Sequence, residues 1–142
     1  FMSFNLNRAG SDTVLRKGGS EAFRPGVDQL PGSCMEFYMS DDGVASVDAQ
    51  NSVLIAARDV PLVYMGSMNH HPIKLCDKNA ENNARPLYSW IMNNNWETNF
   101  KMDLSGFCQY DYSLWLSDIT MPDAAMDELH EQLFDPYVLI IG

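Results

Sequence analysis

Basic residues are scarce in this chain of 142: nine Lys and Arg stand against nineteen Asp and Glu, a formal net charge of −10. That balance excludes the basic surface that nucleic-acid phosphates require, and it disfavours anionic membranes. Cysteine is also sparse. Cys34, Cys76 and Cys108 form an odd set without C-x-x-C spacing, which argues against a disulfide framework or a closed zinc site. No apolar run approaches the roughly 20 residues of a membrane span. There is no N-x-S/T sequon, no Gly-rich phosphate loop followed by a helix, no G-x-S-x-G and no H-E-x-x-H. Together these absences lean towards a reducing compartment, with a bacterial cytoplasm as the expected location.

What is present fits one globular domain over residues 1–142. The hydrophobic share is 46% and the aromatic share 11%, enough for a single core. The first residues are Phe1-Met2, which reads as a piece of a longer chain. Apolar alternation predicts strands over residues 1–6, 34–39, 53–57, 62–65, 87–92 and 107–116, with a last apolar strand over 137–141. Residues 7–20 read as a polar loop, Asp41-Asp42-Gly43 as a turn, and 69–86 as the longest loop. Cys34 and Cys108 fall in apolar runs and are expected to behave as small core residues. Met121-Pro122-Asp123 opens the one helix, to about Phe134, with Ala124, Ala125, Leu129 and Leu133 as its inner face. Many short strands without βαβ alternation predict an all-β fold, an antiparallel β-sandwich with one short helix near the C-terminus.

The densest polar signal follows a strand end, in Asn93-Asn94-Asn95-Trp96-Glu97-Thr98-Asn99. Amides and carboxylates pair with sugar hydroxyls, and indole faces cover the apolar face of a pyranose. Turn chemistry explains the same asparagines, which tolerate left-handed backbone and cap themselves. Trp96 fits either a sugar platform or an interface anchor. Glu97 fits an amide-orienting role or a pair with Arg24 or Lys101. As a catalytic acid it would need a second carboxylate about 5–5.5 Å away and a raised pKa, and the sequence offers no carboxylate that stands out as that partner. Asp28-Gln29 lies between two proline–glycine pairs, a rigid setting that could hold both side chains towards a neighbouring site or let Asp28 organise its own loop. Arg24 would pair with Asp28 or Glu97 as a structural role. His70 and His71 are adjacent and so point to opposite faces of a strand, a poor start for a metal site even with Cys76 and Asp77 nearby. His130 falls on the helix surface.

The order of residues 93–99 is similar to the N-N-H-W-x-T-N segment in the C-terminal β-domains of family 38 glycoside hydrolases, the retaining, zinc-dependent α-mannosidases. Asn95 stands where many relatives carry histidine. Residues 23–33 resemble the P-G-x-D-Q-x-P-G-S segment of bacterial-type members, and residues 53–63 the G-V-x-x-A-x-x-D-A-P-L-V strand pair. The three motifs follow the family's order and cover residues 1 to about 118. The resemblance implies a non-catalytic β-domain that packs on the parent's catalytic barrel and shapes one wall of its cleft for a mannose-containing glycan. Catalytic carboxylates and zinc would belong to that barrel, so no catalytic residue or metal ligand transfers to this sequence. The residues it implies for the wall are Asn94, Trp96, Glu97, Thr98, Asn99, Asp28 and Gln29, with Arg24 beside them. An independent carbohydrate-binding module and a purely structural sandwich are the alternatives.

Overall fold

The computed structural model describes residues 1–4, 8, 10–17, 19, 21–66, 73–76, 86–92 and 105–133. Eight strands and one helix follow in chain order: β1 (Met2–Phe4), β2 (Asp12–Leu15), β3 (Phe37–Met39), β4 (Gly43–Val47), β5 (Ser52–Ala57), β6 (Leu62–Met65), β7 (Leu87–Ser89), β8 (Tyr112–Ser117) and α1 (Pro122–Leu133). They form two four-stranded antiparallel sheets, ordered β1-β7-β6-β3 and β2-β4-β5-β8. This is the expected all-β sandwich with one short helix.

The period of two along each strand sorts the core into two layers. Leu15, Val44 and Ile55 on the second sheet meet Tyr38, Val63, Met65 and Leu87 on the first. The alternate residues of the second sheet, Val14, Ala45, Val47, Leu54 and Ala56, face the other way and meet Ala125, Met126, Leu129 and Leu133 of α1. The second sheet is therefore buried on both faces. Its central strands β4 and β5 are buried at every position, as apolar runs without polar alternation should be.

Polar contacts fix the helix over that sheet. Glu128 accepts hydrogen bonds from the Trp115 indole N–H at 2.8 Å and from the Ser117 hydroxyl at 2.6 Å, tying α1 to β8. Arg16, after β2, donates to Asp127 at 2.7 Å and to the Asp123 carbonyl at 3.1 Å. Arg58 donates to the carbonyl of Leu133 at 2.9 Å, satisfying one of the carbonyls a helix end leaves unpaired. The β4–β5 turn is organised by Asp48, whose carboxylate accepts the N–H groups of Gln50 and Asn51 at 2.7 and 3.0 Å. Those bonds hold its carboxyl below the ordinary carboxylate range. Arg8 closes the turn by donating to the Asp48 carboxylate and the Asn51 side chain. At Gly43 a Cβ would lie 2.0 Å from the Ile55 carbonyl oxygen, and φ is +138°, so only glycine fits where β4 meets β5.

Several expectations need correction. β2 lies inside the stretch read as a polar loop, because Thr13-Val14-Leu15 is too short an apolar run to signal a strand yet is buried between the two layers. β4 follows the Asp41-Asp42-Gly43 turn, in a stretch to which the sequence pattern assigns no element. Residues 107–111 are outside regular structure, and β8 begins at Tyr112. Cys108 is exposed and Cys34 half-buried, while Cys76 is the buried thiol. The inner helix face uses Met126 where Ala124 was expected. The expected strand over 137–141 lies outside the described residues, as do His70 and His71.

Candidate functional site

Arg24, Asp28 and Gln29 occupy a loop whose two prolines and two glycines preclude a regular ladder. Phe23 anchors its start by exchanging backbone bonds with Leu15 at 2.9 and 3.1 Å. Gly32, Ser33 and Met35 anchor its end through bonds of 2.8 to 2.9 Å with Cys76 and Lys74. Within the loop, the Asp28 carboxylate receives Arg24 through Nε at 2.9 Å, through the guanidinium NH2 at 3.0 Å, and through the Arg24 backbone N–H at 2.9 Å. This is the bidentate pair expected as Arg24's structural role. It holds the Asp28 carboxyl below the usual carboxylate range and raises the Arg24 guanidinium.

Gln29 is equally engaged. Its Oε1 accepts from the Gly26 N–H at 2.7 Å and from the Tyr38 hydroxyl at 3.0 Å, and its Nε2 donates to the Cys34 carbonyl at 3.0 Å and to Ser33 Oγ at 3.3 Å. The amide thus seats the loop on β3. A ligand would have to compete with these internal bonds for either side chain. Asn94, Trp96, Glu97, Thr98 and Asn99 lie outside the described residues, so the structure brings together only the Arg24, Asp28 and Gln29 part of the expected wall.

A second feature is an aromatic face. On the first sheet, Tyr38, Val63, Met65 and Leu87 point into the core, so Phe37, Tyr64 and Tyr88 point outward, and Trp90 continues that face beyond β7. Phe1 joins them. Phe37 lies 5.0 Å from Tyr64 and 5.3 Å from Trp90 between ring centroids, and Phe1 lies 5.4 Å from Trp90. Tyr64 contacts Tyr88 at 5.9 Å. Tyr64, beside the rings of Phe1, Phe37 and Tyr88, is 5% exposed on a face that no described element covers. Met39 and Leu62 extend the apolar surface, and none of these seven side chains is charged. The Trp90 indole N–H is spent on the Met92 carbonyl at 2.9 Å.

The sequence carried a signal for this face. Phe37-Tyr38-Met39 and Leu62-Val63-Tyr64-Met65 are apolar at every position, the pattern of strands covered on both sides. Only the pairing of β3, β6 and β7 gathers their outward residues into one surface.

No family model, curated protein or solved structure matches this chain. Among the described residues, no group of three or more His, Cys, Asp or Glu side chains could hold a metal ion. His130 has a partner that the sequence did not suggest: its Nδ1 lies 2.9 Å from the buried Asp42 carboxylate, which ties α1 to the start of β4. A polar cleft of about 250 Å³ is lined by Arg58, Asp111, Ser113 and Gln132, with Ala56 and Leu133. Its cation is already engaged with the helix end.

Proposed function

We propose that this chain is a non-catalytic β-sandwich module that packs through the outer aromatic face of the β1-β7-β6-β3 sheet onto the catalytic domain of an α-mannosidase-like glycoside hydrolase. The observation that carries the docking is that face: rings at 5.0 to 5.9 Å, flanked by exposed Met39 and Leu62, with no charged side chain among the described residues that form it. An uncharged core rich in aromatic residues and Met is the composition of a protein interface. The identity of the partner rests on the motif resemblance alone. In this reading residues 93–99, with Arg24, Asp28 and Gln29, form the wall of the partner's cleft. The parent's chemistry, hydrolysis of terminal α-mannosides with zinc, stays in the catalytic domain.

The geometry favours docking over an independent sugar platform. Most ring pairs are tilted by 43° to 62°, as in a packed cluster, whereas a sugar platform presents its ring faces to solvent. The pair that fits a platform better is Phe1 and Trp90, tilted by 32°. Titration of the 142-residue protein with mannose and a mannobiose, followed by tryptophan fluorescence, separates the two readings. No saturable change is expected. Saturable binding that is lost in Trp90→Ala would replace the docking module with a carbohydrate-binding one. Zinc-dependent turnover of a mannoside by the same protein would overturn both. The partner's identity is tested by the coding sequence upstream, where an in-frame catalytic barrel with His-x-Asp ligands is expected.

A further inference from the structure

We propose that the outer edge of β8 is a homodimer interface, on which a second copy of this chain pairs antiparallel about a two-fold axis at Trp115. β8 closes one side of the second sheet and, among the described residues, pairs with β5 alone. Within the described residues that outer edge has no strand partner, so its backbone donors and acceptors are the groups a second strand would pair with. Protected edges carry a lysine, a proline or a bulge. Residues 113–117 carry no charge and no proline, and the β5–β8 register runs without interruption from Ser52↔Ser117 to Ala57↔Tyr112.

The sequence of this edge identifies the occupant. Ser113-Leu114-Trp115-Leu116-Ser117 reads the same in both directions. Antiparallel pairing of two such strands centred on Trp115 places Trp opposite Trp, Leu114 opposite the other copy's Leu116, and Ser113 opposite its Ser117. A residue-centred two-fold is compatible with either hydrogen-bonding phase of an antiparallel ladder. The contact is isologous, so it closes at two copies.

Side-chain exposure agrees with that register. Leu114 and Leu116 point to the side of the first sheet, as Ile55 does, but they are 57% and 73% exposed. Among the described residues, the first sheet meets β8 at Tyr112, through Phe4 at 5.4 Å and the Ser89 hydroxyl at 2.7 Å. In the dimer, the four leucines cover one another. Charge also favours this site, because two copies of net charge −10 repel least where the contacting strand is neutral. A six-residue strand is about 20 Å long. Its pairing falls at or below the low end of specific interfaces, about 1,200 Å² in total, so the dimer should be concentration-dependent.

Sedimentation velocity on the full chain from micromolar to near-millimolar protein tests this. A monomer–dimer equilibrium is expected, and Leu116→Lys should raise its midpoint by roughly tenfold or more. Because Leu116 is mostly exposed, that variant should keep the wild-type thermal transition. Register is tested in a Cys108→Ser background, which removes the exposed native thiol. A mixture of Leu114→Cys and Leu116→Cys chains should form a disulfide-linked dimer on oxidation, while either variant alone should not. A protein that stays monomeric throughout overturns the proposal. So does a dimer indifferent to Leu116→Lys, or cross-linking of one variant alone as efficient as in the mixture.

Discussion

The two sheets of this sandwich are treated differently on their outer faces. The β2-β4-β5-β8 sheet offers small and branched side chains, Val14, Ala45, Val47, Leu54 and Ala56, and α1 closes over them. The β1-β7-β6-β3 sheet offers Phe37, Tyr64, Tyr88 and Trp90, which pack on each other under no element of the described structure. Small residues let a helix approach closely and bury its Leu and Met. Large rings instead pack tilted against one another, with Tyr64 buried among them and Phe37 still 37% exposed. The first arrangement completes a fold within the chain. The second supplies a surface whose apolar area is still available to a partner, the property on which the docking reading rests.

That contrast can be broken most sharply at the covered face. Leu129 is fully buried beneath α1, so Leu129→Ala should destabilise the protein by about 2–5 kcal/mol through lost transfer energy and a cavity. Urea denaturation measures it. A cost below roughly 1 kcal/mol, less than that series allows, would mean that α1 is not an integral layer of the core. At the open face the same kind of truncation should behave differently. Phe37→Ala removes a ring that is still partly solvated, and the expected loss is about 1–2 kcal/mol, less than for a buried aromatic residue. It should also reduce the binding of an apolar dye to the native protein. A loss as large as that of Leu129→Ala would show that the aromatic cluster serves the fold before it serves any partner.

The smallest effect concerns the loop seated on β3, beside the open face. Hydrogen bonding from Arg24 depresses the Asp28 carboxyl in the folded state. A depressed carboxylate contributes stability above its unfolded pKa, near 3.9, and that contribution is lost as pH falls through the lower folded value. Both side chains are more than a third exposed, so the effect should be slight. Acid titration should therefore release the 24–33 loop only below the ordinary carboxylate range. Arg24→Ala should move that release up towards it. Proton chemical shifts of Gly26 and Gln29 report the change, and identical profiles for both proteins would remove Arg24 as the loop's anchor.

The architecture was legible in the sequence wherever apolar residues alternated or ran together long enough to mark a strand. β3, β5, β6 and β7 lie within the runs that signal strands, and α1 begins at Pro122 as its fixed φ predicts. β2 and β4 were not legible, because Thr13-Val14-Leu15 and Gly43-Val44-Ala45-Ser46-Val47 are short or small-residue runs that become strands only between neighbours. The Arg24–Asp28 pair could be named from sequence. The fourfold engagement of Gln29 could not, since it depends on Tyr38 and Cys34 being brought to the loop by β3. The resemblance in residues 93–99 stands as a sequence observation alone.

By itself the sequence determined the class of fold, the place of the helix, the strongly acidic character and the palindrome in β8. These are local properties, written in neighbouring residues and in composition. Only the tertiary structure decided which apolar faces are closed and which stay open. Strand order placed α1 over one sheet, gathered rings from three separate strands on the other, and left β8 at an edge. Each of these depends on contacts between residues far apart in the chain, and no local pattern encodes them.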